Sequence, residues 1–170
     1  MKMQFNGVPQ FQKQIGEYAD QWEAISEKAV AAFMAETGLV FQQSEYLFEV
    51  TDLPAYTQSD PNELRLPATH IHGTRMGVLL RKLALILLEE NNVTHADVDQ
   101  NRIANLFLYD VMFTVLGRFI ADHQVKQESE RVGKYDYAAA WRFATDKPPM
   151  TRYKLMSRIV RDSRRSPAAV

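Results

Sequence analysis

RMGVLLRKLALILLEEN at residues 75–91 and DVDQNRIANLFLYDVMFTVLGRFIADH at residues 97–123, joined by Asn92-Val93-Thr94-His95-Ala96, decide how this chain folds. The first stretch carries Met76, Val78, Leu79, Leu80, Leu83 and an unbroken apolar run from Leu85 to Leu88. The second carries Ile103, Leu106, Phe107, Leu108, Val111, Met112, Phe113, Val115, Leu116, Phe119 and Ile120. A helix apolar on most of its circumference is buried on most of its sides. The expected fold is therefore mainly α, with four to five helices packed around a central helical hairpin of 75–91 and 97–123.

Working outward, Phe11, Ile15, Tyr18, Trp22, Ile25, Ala29 and Phe33 recur at spacings of four and three. That is one face of a helix, entered at Pro9 and stopped near Thr37 by Gly38. Composition then turns toward β-formers. Tyr46, Phe48 and Val50 alternate with Leu47, Glu49 and Thr51, and Leu64 to His72 is again extended in character, with Pro67 suited to an edge. The prolines of 52–62 read as a loop between them, which predicts a small antiparallel β-hairpin of about 45–51 and 64–72. Met3, Phe5 and Val8 allow a further brief strand.

Toward the C-terminus, Thr94, Asp97 and Asp99 resemble a capped start of the second core helix. Lys126 to Lys134 is polar and reads either as a solvated helical extension or as a linker. Tyr135 to Ala144 predicts a short helix presenting Tyr137, Ala140, Trp141 and Ala144. Thr151 to Arg164 predicts a last one, with Tyr153, Leu155, Met156, Ile159 and Val160 apolar. One core domain over 1–146, with 147–170 as a basic helix and tail packed on it, is the expected organisation.

A chain of 170 residues is long enough for one sizeable core. Hydrophobic residues at 46% and charged residues at 24% exclude global disorder. Absence of cysteine removes disulfides, thiolate nucleophiles and Cys-based zinc sites together. Met1-Lys2-Met3-Gln4-Phe5 lacks a signal-peptide core, and Leu83 to Leu88 is far short of a membrane span, so a cytoplasmic protein without a membrane partner is expected. Net charge is −1 but uneven: seven cations against Asp162 alone give +6 over 147–165, which leaves −7 on the rest.

Two places could carry chemistry. In Thr69-His70-Ile71-His72-Gly73-Thr74, an extended segment turns His70 and His72 to one side, a spacing able to supply two metal ligands. Asp110, inside the apolar run Leu106 to Val115, is the candidate third ligand. It also shares a helical side with Arg102, Thr114 and Arg118, which offers local charge compensation. A His ahead of an apolar helix, followed by Asn101-Arg102-Ile103-Ala104-Asn105-Leu106-Phe107-Leu108-Tyr109-Asp110, resembles the HD-domain nucleotidases over about fifty residues. That resemblance implies an all-helical, metal-dependent phosphohydrolase. Tyr109-Asp110 stands where the family needs His-Asp, so a relative of this kind would be degenerate. No nucleophile elbow, P-loop or dinucleotide-binding turn is present.

The basic segment is the second place. Lys147, Arg152, Lys154, Arg158, Arg161, Arg164 and Arg165 could neutralise phosphates, and Trp141, with Tyr135, Tyr137 and Phe143, could stack on bases. Cations near a helix C-terminus also complement its dipole, and the acidic body offers them intramolecular partners. The expected function is non-enzymatic and needs no cofactor: binding or assembly through a protein partner or self-association, with the C-terminal segment contacting nucleic acid or an acidic partner. A phosphohydrolase using His70, His72 and Asp110 is the alternative.

Overall fold

A computed structural model describes residues 1–52, 64–69 and 72–165, with residues 72 and 73 described by backbone only. The chain runs through β1 (Lys2–Gly7), a turn of 3-10 helix at Pro9–Phe11, α1 (Gln12–Thr37), β2 (Glu45–Thr51), β3 (Arg65–Pro67), α2 (His72–Glu90), α3 (Gln100–Leu116), α4 (Arg118–Ser129), α5 (Tyr137–Thr145) and α6 (Pro149–Arg165). The mainly helical reading holds. No helix among the described residues is long and apolar enough to cross a membrane.

The first helix forms as its periodicity dictates. Ile15, Tyr18, Trp22, Ala29 and Phe33 are buried, and Gly38 ends the helix in the left-handed region at φ 66°. Asp99 caps α3 by accepting from the Arg102 amide at 3.0 Å, and Asp136 caps α5 through the Ala139 amide at 2.8 Å.

The strands correct the sequence reading. The sheet is three-stranded in the order β1-β2-β3, and both pairs are parallel, with Lys2 opposite Glu45 and Glu49 opposite Arg65. The expected antiparallel hairpin is absent: β3 occupies only Arg65–Pro67, and β2 lies between β1 and β3. Alternation reports which face of a strand is buried, and there it was right, since Tyr46, Phe48 and Val50 are buried and Glu45, Leu47 and Glu49 exposed. It carries no information about direction. Direction is set by α1, which crosses over between β1 and β2 as a parallel pair requires. Residues 53–63, within the β2–β3 connection, lie outside the described residues. The outer face of the sheet carries surface ion pairs, Lys2 with Glu45 at 3.1 Å and Arg65 with Glu49 at 3.3 Å.

The core is centred on α3: it packs against α2, its neighbour in the expected central pair, and also against α1, α4, α5 and α6. Nearly all its circumference is buried, through Ile103, Ala104, Asn105, Leu106, Phe107, Leu108, Val111, Met112 and Val115. At about 1.5–3 kcal/mol for each fully buried large side chain, α3 and α2, which buries Met76, Leu79, Leu80, Leu83, Ile86, Leu87 and Leu88, contribute comparably to the apolar core. The helix expected to run to His123 stops at Leu116. Gly117 adopts φ 86° and ψ 163°, which a side chain strongly disfavours, and its carbonyl accepts from Ala121 to start α4. The segment from 125, open between helix and linker, is helical to Ser129.

Gly117→Ala should lower stability by about 1–3 kcal/mol, read from urea denaturation, because the substitution adds strain without removing a contact. An unchanged midpoint would mean that the break between α3 and α4 does not need this backbone conformation.

Candidate functional site

The last helix sorts its cations by face. Arg152, Met156, Ile159 and Val160 lie along its buried side, docked on α3 and α1. On the other side Lys154, Arg158, Arg161 and Arg165 follow at i, i+4, i+7 and i+11, and Arg164 stands beside them; all five are exposed. Positions three and four apart are neighbours on a helix surface, so these form one continuous row. Arg161 approaches Asp162 at 3.6 Å, a surface pair worth little. Among the described residues, Lys154, Arg158, Arg164 and Arg165 have no carboxylate partner.

Arg152 belongs to the interior. Its Nε donates to Asp110 Oδ2 at 3.0 Å, and its Nη2 to Oδ1 at 2.6 Å and Oδ2 at 2.8 Å. Its Nη1 donates to the Lys147 carbonyl at 2.7 Å. Asp110 thus finds its charge partner on α6. Arg102 and Arg118, which share its helical side, pair with Asp99 and Asp122. Lys147 is also turned inward, donating to the Phe143 carbonyl with its ammonium 4.0 Å from the Phe143 ring centre. Trp141 is 1% exposed and donates to Glu128 Oε2 at 3.1 Å, so it stacks on nothing in solvent. Of the eight residues expected on the basic surface, Lys147, Arg152 and Trp141 are withdrawn from it.

The remaining aromatics before α6 are likewise engaged. Tyr135 donates to Asp99 at 2.6 Å and sits edge-on to Tyr137, over which Arg131 stacks at 3.9 Å. Tyr153, one of the apolar positions of the last helix, is 46% exposed. It lines a groove of about 360 Å³ between the C-terminal end of α1, at Thr37 and Gly38, and Ser157, Val160, Arg161, Arg164 and Arg165 of α6.

The metal reading gains no ligand set. His70 and the His72 side chain lie outside the described residues, and both oxygens of Asp110 are held by Arg152. Among the described residues no group of three or more His, Asp or Glu side chains is arranged to hold a metal ion.

Two features escaped the sequence. Glu128, in the stretch that reads as polar, is 1% exposed and bound on every side: Arg81 at 2.6 Å, Trp141, and Gln124 at 3.0 Å. Arg81 reaches on to Asn101 at 2.6 Å and Asn105 at 3.3 Å. Gly77 leaves the space on α2 into which the Gln124 amide packs. The second feature is Glu36, whose carboxyl is held above its ordinary range, first by burial and then by Asp110, with Arg152 opposing.

Comparison with protein-family models, with curated proteins and with solved structures found no match.

Two outcomes follow from the sorting of charges. Arg152→Ala strands the Asp110 carboxylate and should cost about 3 kcal/mol, whereas Arg158→Ala should stay within about 0.5 kcal/mol, both read by chemical denaturation. Equal effects would mean that α6 does not divide its cations this way. For Glu36, a folded-state pKa above the unfolded one means that its favourable contribution is complete below the unfolded carboxylate pKa. That contribution is lost as pH rises through the folded value. Glu36→Gln should therefore raise the melting temperature at pH 7 and leave it nearly unchanged at pH 4.

Proposed function

We propose that this is a non-enzymatic binding protein that holds nucleic acid against the exposed face of α6. One observation carries the reading: Lys154, Arg158, Arg161 and Arg165 form a single row at helical spacing, with Arg164 alongside, while the cation needed for docking, Arg152, faces the other way. Cations retained for structure have partners, and those of the row, Arg161 aside, have none among the described residues. A row of unpaired cations on a rigid helix follows a phosphate backbone, and release of counterions supplies its affinity. An acidic body around it disfavours anions elsewhere and gives the contact an orientation.

A second reading, assembly through a protein partner or self-association, is favoured by the corner between α3 and α4. Phe113 is 47% and Phe119 85% exposed there. The phosphohydrolase alternative requires Asp110 to leave a guanidinium that holds both its oxygens, and stands behind both.

Deleting α6 would remove Met156, Ile159 and Val160 from the core, so the test uses exposed substitutions in the full chain. Fluorescence anisotropy with labelled oligonucleotides should show binding that weakens steeply with salt. Lys154→Glu with Arg158→Glu should abolish it at low salt, and Arg158→Ala alone should reduce the salt slope by about one. Absence of binding at low salt by the unmodified protein would sink the reading, and concentration-dependent sedimentation would then favour the Phe113–Phe119 corner.

A further inference from the structure

We propose that the groove beside the basic row receives an unstacked base, so that the nucleic acid bound by α6 is single-stranded. This rests on the reading of α6 as a nucleic-acid face and adds the strandedness of the ligand. On α6 the groove is lined by Tyr153, Ser157, Val160, Arg161, Arg164 and Arg165. Arg161 and Arg165 belong to the row with Lys154 and Arg158, so the groove opens directly onto that row. A track of arginines for phosphates and a second track of Tyr153, Ser157 and Val160 lie side by side along one helix.

The second track is suited to a base. Tyr153 has no hydrogen bond and no aromatic neighbour among the described residues, and is 46% exposed. Every other aromatic near this helix is spent: Trp141 on Glu128, Tyr135 on Asp99, Tyr137 under Arg131, and Phe143 under Lys147. A single uncommitted ring beside a cationic track is a stacking platform, which every base can use because every base has a π-face. Ser157 adds a hydroxyl able to donate or accept. Val160, 7% exposed, supplies an apolar floor.

The opposite wall fixes which part of a nucleotide goes where. Thr37 and Gly38 end α1, and a helix C-terminus carries the negative end of the dipole. That wall disfavours a phosphate and favours the N–H edge of a base. The backbone is thereby assigned to α6 and the base edge to α1. In a duplex the base faces are stacked on one another, so a groove of about 360 Å³ can take a base only after it has been unstacked. A single strand offers its bases without that cost.

Anisotropy titrations would compare a labelled oligothymidylate a dozen nucleotides long with a duplex of equal length, using the full chain and its Tyr153→Ala and Tyr153→Phe variants. Tyr153 is surface-exposed, so both variants should keep the parent melting temperature, which verifies folding. The expected result is tighter binding of the single strand, a loss of roughly tenfold in Tyr153→Ala for that strand alone, and retention in Tyr153→Phe. Equal affinity for both forms, with no effect of Tyr153→Ala, would overturn the inference while leaving α6 as a charge-driven nucleic-acid face. Binding of neither form would remove the functional reading itself, and this inference with it.

Discussion

Arg152 and Asp110 fasten a highly charged helix to an apolar core, and much of the structure depends on how that is done. Both groups lose most of their water, and only a planar fork matched to both carboxylate oxygens compensates two charges at once. Because the guanidinium must meet α3, the rotation of α6 about its own axis is fixed. Met156, Ile159 and Val160 then fall on the core and Lys154, Arg158 and Arg161 on solvent. One ion pair sets the direction in which the remaining charges point. Glu36, also near the pair, introduces a second carboxylate whose ionisation is opposed first by burial and then by Asp110, and favoured by Arg152.

The Arg81–Glu128 network plays the same part on the other side of α3. It joins α2, α3, α4 and α5 through directional bonds from Arg81, Gln124 and Trp141 to Glu128 and from Arg81 to Asn101, where apolar side chains alone would permit several packings of similar energy. Trp141 illustrates the difference between composition and role. Its indole N–H needs a partner once buried, and Glu128 is that partner. The most conspicuous aromatic of the basic segment is therefore structural, while Tyr153, one helix later, is left uncommitted.

Much of the fold was legible because it follows from local rules. The extent of α1, its glycine stop and the inward set of β2 all depend on residues within a turn or two of one another, although the second core helix is capped by Asp99 and not from Thr94. The break at Gly117 is local, a backbone conformation that an apolar pattern does not encode. Most of the rest that was missed depends on partners distant in sequence, and strand direction is decided by the crossover through α1. The fate of each cation was illegible for the same reason. Arg152 and Arg158 look alike in sequence, and only the position of Asp110, forty-two residues from Arg152, separates them.

The parallel sheet has a further consequence, for the order in which the chain assembles. Lys2 pairs with Glu45 and Phe5 with Phe48 only after the whole of α1 has been brought across. Neighbouring elements such as α3, α4 and α5 meet over short loops. Contacts close in sequence form at small entropic expense, and those across long separations form late. By that rule the contacts among α3, α4 and α5 form ahead of the β1–β2 pairing, and β1 is the strand with the longest reach to its partner. Until it pairs, β2 has one unpaired edge, with Tyr46, Phe48 and Val50 on the same strand. A delay in that pairing then leaves the β2 edge open to strand exchange between chains, on an element that belongs to the sheet and not to the basic helix.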